Sequence, residues 1–224
     1  MKDPKVMAKS TKVKTRVLLF AGTFDPITLG HILMLRQCID TEFFDEIWVL
    51  PSGKRTDKAF RVSDECRLEQ CRIVVDDLRS QKANVIVCDY EIQLGRNIDS
   101  YFTVKHFQEK HPEHDFYFFI GSDLLPQLLL WPFGKEFVDI TKILIAHREG
   151  YPINKADIDN LKQYELLSEL LQRKSRKMET SSASSTLVRQ QLADRVKCDE
   201  VGTLHPGIMQ YITEKALYGA KTPI

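Results

Sequence analysis

The stretch Val17–His31, VLLFAGTFDPITLGH, constrains this chain more than any other. Val17 to Phe20 are four consecutive apolar residues, the pattern of a buried strand. Ala21 and Gly22 end it, and Gly22 removes the side chain where the backbone passes close to a ligand. Asp25-Pro26 marks a turn, because proline fixes φ and biases its neighbour away from helix. Thr28 is the predicted N-cap of a helix running through Leu33, Leu35 and Cys38, with His31 in its first turn. Strand, glycine turn and helix N-terminus together make an anion site, since unsatisfied amides and the helix dipole both favour phosphate.

The rest of the chain repeats this alternation. Further strands are predicted at Glu46–Leu50, Asn84–Val87, Phe116–Ile120 and Ile143–Ala146, with helices over Ser63–Leu78, Ser100–Lys110 and Asp157–Arg173. Two more helices run from the Ser184-Ser185-Thr186 cap through Leu192 and from His205-Pro206 to Tyr218, the last closed by Gly219. This order predicts an α/β fold, a Rossmann-like, doubly wound parallel sheet in a single domain over residues 17–219. Residues 1–16 read as a disordered, lysine-rich tail, 174–183 as a polar loop and 220–224 as a second tail.

Phe116–Ile120 ends in Gly121-Ser122-Asp123, a second strand–glycine–carboxylate junction. In open parallel sheets ligands collect at the carboxyl ends of strands near the switch point, so both junctions point at one crevice. Asp123 suits a ribose diol, or caps the next helix. Ser184 and Ser185 with Arg189 form a second helix-start anion site. The loop carrying Lys54, Arg55 and Lys58 is either a solvated basic loop or an arm that brings charge to a polyphosphate.

Composition excludes several classes. The 224 residues carry a formal charge of +1, against a general polyanion binder, so no nucleic acid is expected as partner. Neither a bilayer-spanning run nor a signal-peptide core is present, and no membrane partner is expected. Five cysteines lack the paired spacing of zinc sites, so no metal ligands are assigned and the thiols read as reduced, which places the chain in the cytoplasm and leaves the nucleus open. Walker A and Gly-x-Gly-x-x-Gly patterns are both missing, against a bound redox dinucleotide.

Gly22 to His31 resembles the signature of the nucleotidyltransferase superfamily with a (His/Thr)-x-Gly-His turn. Four further landmarks follow in order: Trp48 to Ser52 with Arg67-Leu68 beyond, Phe119 to Asp123 with Trp131 downstream, Arg148 to Tyr151, and Ser184 to Arg189. The ordered set, spanning Val17 to Gly219, is similar to nicotinate or nicotinamide mononucleotide adenylyltransferases. That resemblance implies in-line attack of the mononucleotide 5′-phosphate on the α-phosphorus of ATP, with Mg²⁺ held mainly by the ATP phosphates. It implies catalytic roles for His31, Thr28 and Arg189. ATP would contact Gly22, Thr23, Phe24, Gly30, His31, Gly121, Asp123, Ser184, Ser185 and Arg189. The acceptor would contact Lys54, Thr103, Trp131 and Arg148. Thr28 replaces the first histidine that many pyridine-nucleotide members carry. It is typical of phosphopantetheine adenylyltransferases, which are one alternative; a non-catalytic nucleotide-binding module is another. The sequence leaves the choice of nicotinate or nicotinamide acceptor and a homo-oligomer open.

Overall fold

The computed structural model describes residues 13–56, 59–81, 83–194 and 202–220. In chain order they form β1 (Thr15–Gly22), α1 (Leu29–Asp40), β2 (Glu46–Pro51), α2 (Asp64–Ser80), β3 (Val85–Val87), α3 (Tyr90–Gln93) and α4 (Ser100–Lys110). There follow β4 (His114–Gly121), a 3₁₀ segment (Ser122–Leu130), α5 (Gly134–Ile140), β5 (Lys142–Ala146), α6 (Lys155–Ile158), β6 (Tyr164–Leu166), α7 (Leu167–Arg173), α8 (Ser185–Ala193) and α9 (Pro206–Glu214). The strands make one sheet in the order β3-β2-β1-β4-β5-β6, each pairing parallel. The expected Rossmann-like, doubly wound arrangement is the one observed, and its switch point lies between β1 and β4.

The unbroken apolar run of β1 follows from this position. Leu18 and Phe20 face a core shared with α1, α2, α7, α8 and α9, while Val17 and Leu19 face a second core against α4 and α5. A strand covered on both faces needs apolar residues at every position rather than at alternate ones. Two helix starts are capped as read: Ser63 Oγ accepts from Cys66 N at 3.2 Å and Ser184 Oγ from Leu187 N at 3.2 Å.

Four expectations are corrected. Residues 157–173 are not one helix but α6, the edge strand β6 and α7. Leu161 packs into one core and Leu167, Leu170 and Leu171 into the other, so the chain has to cross the sheet edge between them. β6 is three residues long and pairs only with β5, a tertiary cue without local periodicity. Thr15 and Arg16 belong to β1 instead of a tail; residues 1–12 lie outside those described. The segment after Gly121 is 3₁₀ with Pro126 inside it, not a regular α-helix. The terminal helix stops at Glu214, because Ala216 and Tyr218 take left-handed φ values of 49° and 56° before Gly219.

Cys38, Cys66, Cys71 and Cys88 are free thiols; Cys198 lies outside the described residues. No helix of the described residues is long and apolar enough to cross a membrane.

Candidate active site

At the carboxyl ends of β1 and β4 lies a cavity of about 580 Å³. Three segments distant in sequence build it: the Gly22–His31 turn, the Gly121–Asp123 junction with the loop after β5, and the start of α8.

The first wall is organised by hydrogen bonds inside its own turn. Thr28 caps α1, and its backbone N–H donates to His31 Nδ1 at 3.1 Å, with Thr28 Oγ1 2.9 Å from the same nitrogen. A backbone N–H is only a donor, so Nδ1 has to be unprotonated and the ring proton sits on Nε2. Burial, with the positive charge of Arg148 acting the same way, lowers the His31 pKa to about 4. The ring is therefore neutral at pH 7. The Phe24 ring meets it edge-on at 5.3 Å, and Phe24 itself holds φ of 48°, a left-handed conformation uncommon outside glycine. Gly30 is required at its position, since a Cβ there would stand 2.5 Å from the backbone oxygen of Ala183.

α8 closes the second wall. Ser185 Oγ donates to Pro26 O at 2.7 Å, and Arg189 Nη1 to Asp25 O at 2.6 Å, with Nη2 3.1 Å from Thr186 Oγ1. The helix start is thereby pinned onto the first turn, its N-terminus and a guanidinium facing the cavity beside His31.

In the third wall Ser122 is a splice. It donates from Oγ to Tyr151 O at 2.6 Å and accepts from Arg148 N at 2.8 Å. Arg148 Nη1 then meets Asp123 Oδ2 at 2.6 Å, an ion pair across the cavity rim. A Cβ on Gly121 would fall 2.5 Å from Asp123 Oδ1, so the glycine allows that carboxylate to fold back toward the strand end.

Of the residues singled out from the sequence, Gly22, Thr23, Phe24, Gly30, His31, Gly121, Asp123, Arg148, Ser184, Ser185 and Arg189 line the cavity. Four do not. Thr28 is fully buried beneath His31, where its hydroxyl also lies 3.4 Å from Ala183 O, so it holds the histidine instead of facing a ligand. Thr103 is fully buried and donates to Glu91 Oε1 at 2.8 Å, beneath the loop after β2. Trp131 packs against Phe137, ring centroids 6.0 Å apart, because the left-handed Phe133 (φ 57°) folds the chain back into α5. Lys54 is exposed beyond the lining, and Lys58 lies outside the described residues.

Asp25 went unnoticed as a site residue because Asp-Pro reads as turn punctuation. It lines the cavity and is 2 % exposed. Its Oδ2 accepts from Arg61 N at 2.8 Å, while Oδ1 is buried without a hydrogen-bond partner. A buried carboxylate oxygen with spare capacity beside a phosphate-sized cavity fits a hydrated divalent cation, since hard cations prefer oxygen ligands. The only sequence signal for it is the carboxylate inside the glycine turn.

Residues 19–191 match the cytidylyltransferase-like family. Among curated relatives, a "Probable nicotinate-nucleotide adenylyltransferase" of Bacteroides thetaiotaomicron is 29% identical over 210 residues, covering 93% of this chain and 95% of the relative. A second, of Shewanella sediminis, is 33% identical over 142 residues, or 62% of this chain and 64% of the relative. Plasmodium falciparum nicotinic acid mononucleotide adenylyltransferase, solved in complex with NaAD, superposes with a TM-score of 0.80 at 24% identity, covering 93% of this chain and all of that one. The matched span runs from β1 into α8 and so contains all three walls of the cavity: this chain is a member of the cytidylyltransferase-like family.

Proposed function

We propose that this protein is an adenylyltransferase that joins ATP and nicotinate mononucleotide to give the deamido dinucleotide and pyrophosphate. The observation that carries the reading is the convergence, on one cavity at the switch point, of a neutral His31 with its proton on Nε2, the Arg189 guanidinium and the N-terminus of α8. These are donors for phosphate oxygens, and none is a nucleophile. That set suits a direct displacement in which the acceptor phosphate, already ionised, forms the new P–O bond at the α-phosphorus as the bond to pyrophosphate breaks. Catalysis then rests on alignment and on stabilising charge on the transferred group and the leaving group.

In this scheme His31 Nε2–H donates to an α- or β-phosphate oxygen. Arg189 and the amides at Ser184 and Ser185 hold the β- and γ-phosphates, and Gly22 and Thr23 line the nucleotide path. Asp123 accepts from a ribose once Arg148 releases it, and Arg148 is then free to meet the acceptor. Asp25 would help to hold a magnesium ion carried by the triphosphate, and such an ion would supply charge neutralisation on the phosphate oxygens. Trp131 and Lys54 stand outside the lining, so direct contact of either with the acceptor requires a rearrangement of its loop. The names of the relatives favour nicotinate over nicotinamide as acceptor. The same names speak against phosphopantetheine, the acceptor that the identity of Thr28 raised.

The test is a paired assay with ATP, Mg²⁺ and, in turn, nicotinate mononucleotide, nicotinamide mononucleotide or phosphopantetheine. Dinucleotide formed fastest from the nicotinate substrate is the expected result. Pyrophosphate release that never depends on a pyridine mononucleotide sinks the proposal.

A further inference from the structure

At the opposite end of the sheet from the cavity, the turn between α4 and β4 carries three donors within four residues: His111, Glu113 and His114. Their ligand atoms all lie within 4.8 Å of one another. Glu113 Oε1 stands 3.6 Å from His111 Nδ1 and 3.5 Å from His114 Nε2, bridging the two imidazoles. The rings are parallel to within 6°, with centroids 5.1 Å apart. Trp48 meets both edge-on, at 5.5 and 6.0 Å, and Phe116 packs against both. The turn is closed by His114 N donating to His111 O at 3.0 Å, and Pro112 fixes φ inside it. This constellation is held from behind by aromatic packing and lies open in front, where the Glu113 side chain is 61% exposed.

We propose that His111, Glu113 and His114 form a binding site for a borderline transition-metal ion, Zn²⁺ being the natural occupant. Two imidazoles and one carboxylate, with a fourth position open to water, are a donor set that zinc accepts and that magnesium, a hard cation, does not favour. Bonds of about 2.0–2.1 Å at tetrahedral angles place neighbouring ligand atoms about 3.3–3.4 Å apart. The two edges through Glu113 are already within a few tenths of an ångström of that spacing. His111 is also the C-cap of α4, whose negative dipole end favours a cation.

The site has no part in the chemistry at the cavity. His114 opens β4 and Gly121 closes it, which sets the two about 23 Å apart along the strand at about 3.3 Å per residue. Its effect is to clip the end of α4 to the start of β4 and, through Thr15 N on Glu113 O at 3.3 Å, to the start of β1. A bound ion therefore stabilises the folded chain without touching turnover.

Tag-free protein, stripped with a chelator and dialysed, is titrated with Zn²⁺ against a chromophoric competitor, and with Co²⁺ for its visible absorption. One equivalent bound with a dissociation constant in the micromolar range, a low-symmetry Co²⁺ spectrum and a Zn²⁺-dependent rise in Tm are expected. Glu113→Gln, at an exposed position, and His111→Asn, at a half-buried one, weaken binding at least tenfold and abolish the rise in Tm, on the scale that loss of a ligand or its support produces. Glu113→Gln keeps the parent Tm without metal, and both variants keep the parent rate of nucleotide turnover. Binding weaker than about 100 μM, or binding that both variants leave unchanged, overturns the site. The metal-binding and Tm readouts use no nucleotide, so they stand or fall apart from the proposed adenylyl transfer.

Discussion

The two central strands, β1 and β4, both end in glycine at the same cavity, yet they hold their functional side chains in opposite ways. After β1 the histidine is held from within its own turn: the fully buried Thr28 fixes the His31 ring by backbone and side-chain contacts three residues away. After β4 the carboxylate of Asp123 is held from outside its own segment, by Arg148 from the loop after β5. The first junction is built before any ligand arrives. The second is an ion pair that a ligand has to exchange, at the cost of a partly exposed contact worth little by itself.

Breaking the β1 side should have the largest effect. His31→Ala is expected to lower kcat about 10³-fold with Tm nearly unchanged, the usual scale for losing a donor to a developing oxyanion; a loss confined to KM would refute the role given to Nε2. On the β4 side, Asp123→Asn is expected to lower kcat/KM about tenfold, chiefly through KM. Combined with Arg148→Ala it should cost less than the two single effects added, because each replacement already breaks the same pair. Full additivity in that cycle would mean that the two residues act independently.

The glycines sharpen the contrast. In Gly30→Ala the new Cβ meets the Ala183 backbone oxygen, which cannot swing away, and a loss of about 1–3 kcal/mol of stability is expected by denaturant titration. In Gly121→Ala it meets only the end of the Asp123 side chain, which can rotate. The expected result there is a raised KM for ATP with a stability change under about 1 kcal/mol.

The last effect is one of slope. His31 titrates at about 4 when folded and near 6.5 when unfolded, so between those values the unfolded chain binds more protons. Stability contributed by the neutral ring is complete above about pH 6.5 and is lost as the pH falls toward 4. Chemical denaturation across that window should show this fall, and His31→Gln should remove part of it.

How far the molecule could be read in advance depended on where each cue lay. Gly22 to His31 was legible because strand end, turn, cap and histidine are contiguous, and α8 because Ser184 caps it as serine does. β6 was not, for it is three edge residues whose partners lie 21 residues back, and the apolar spacing of Ile158, Leu161, Leu167 and Leu171 reads as helix across it. The resemblance implies ligand contacts for Thr28 and Thr103, and only packing turns the first toward His31 and the second toward Glu91. The unpartnered oxygen of Asp25 had no signature at all beyond its residue type.

The bond from Ser185 to Pro26 spans 159 residues of sequence. Loop closure over such a distance is the slow part of assembling any chain, since entropy is lost before the contact returns anything. β1 and α1 can pair and pack with their near neighbours without α8, but a chain in that condition has one wall of its phosphate cradle missing. Recovered turnover after refolding therefore waits for the docking of α8, while circular dichroism reports helix and sheet whether or not α8 has docked. The same logic makes the polar stretch ahead of Ser184 a vulnerable place to cut: cleavage there would leave most of the sheet's partners in position and unhook the helix that closes one wall of the cavity.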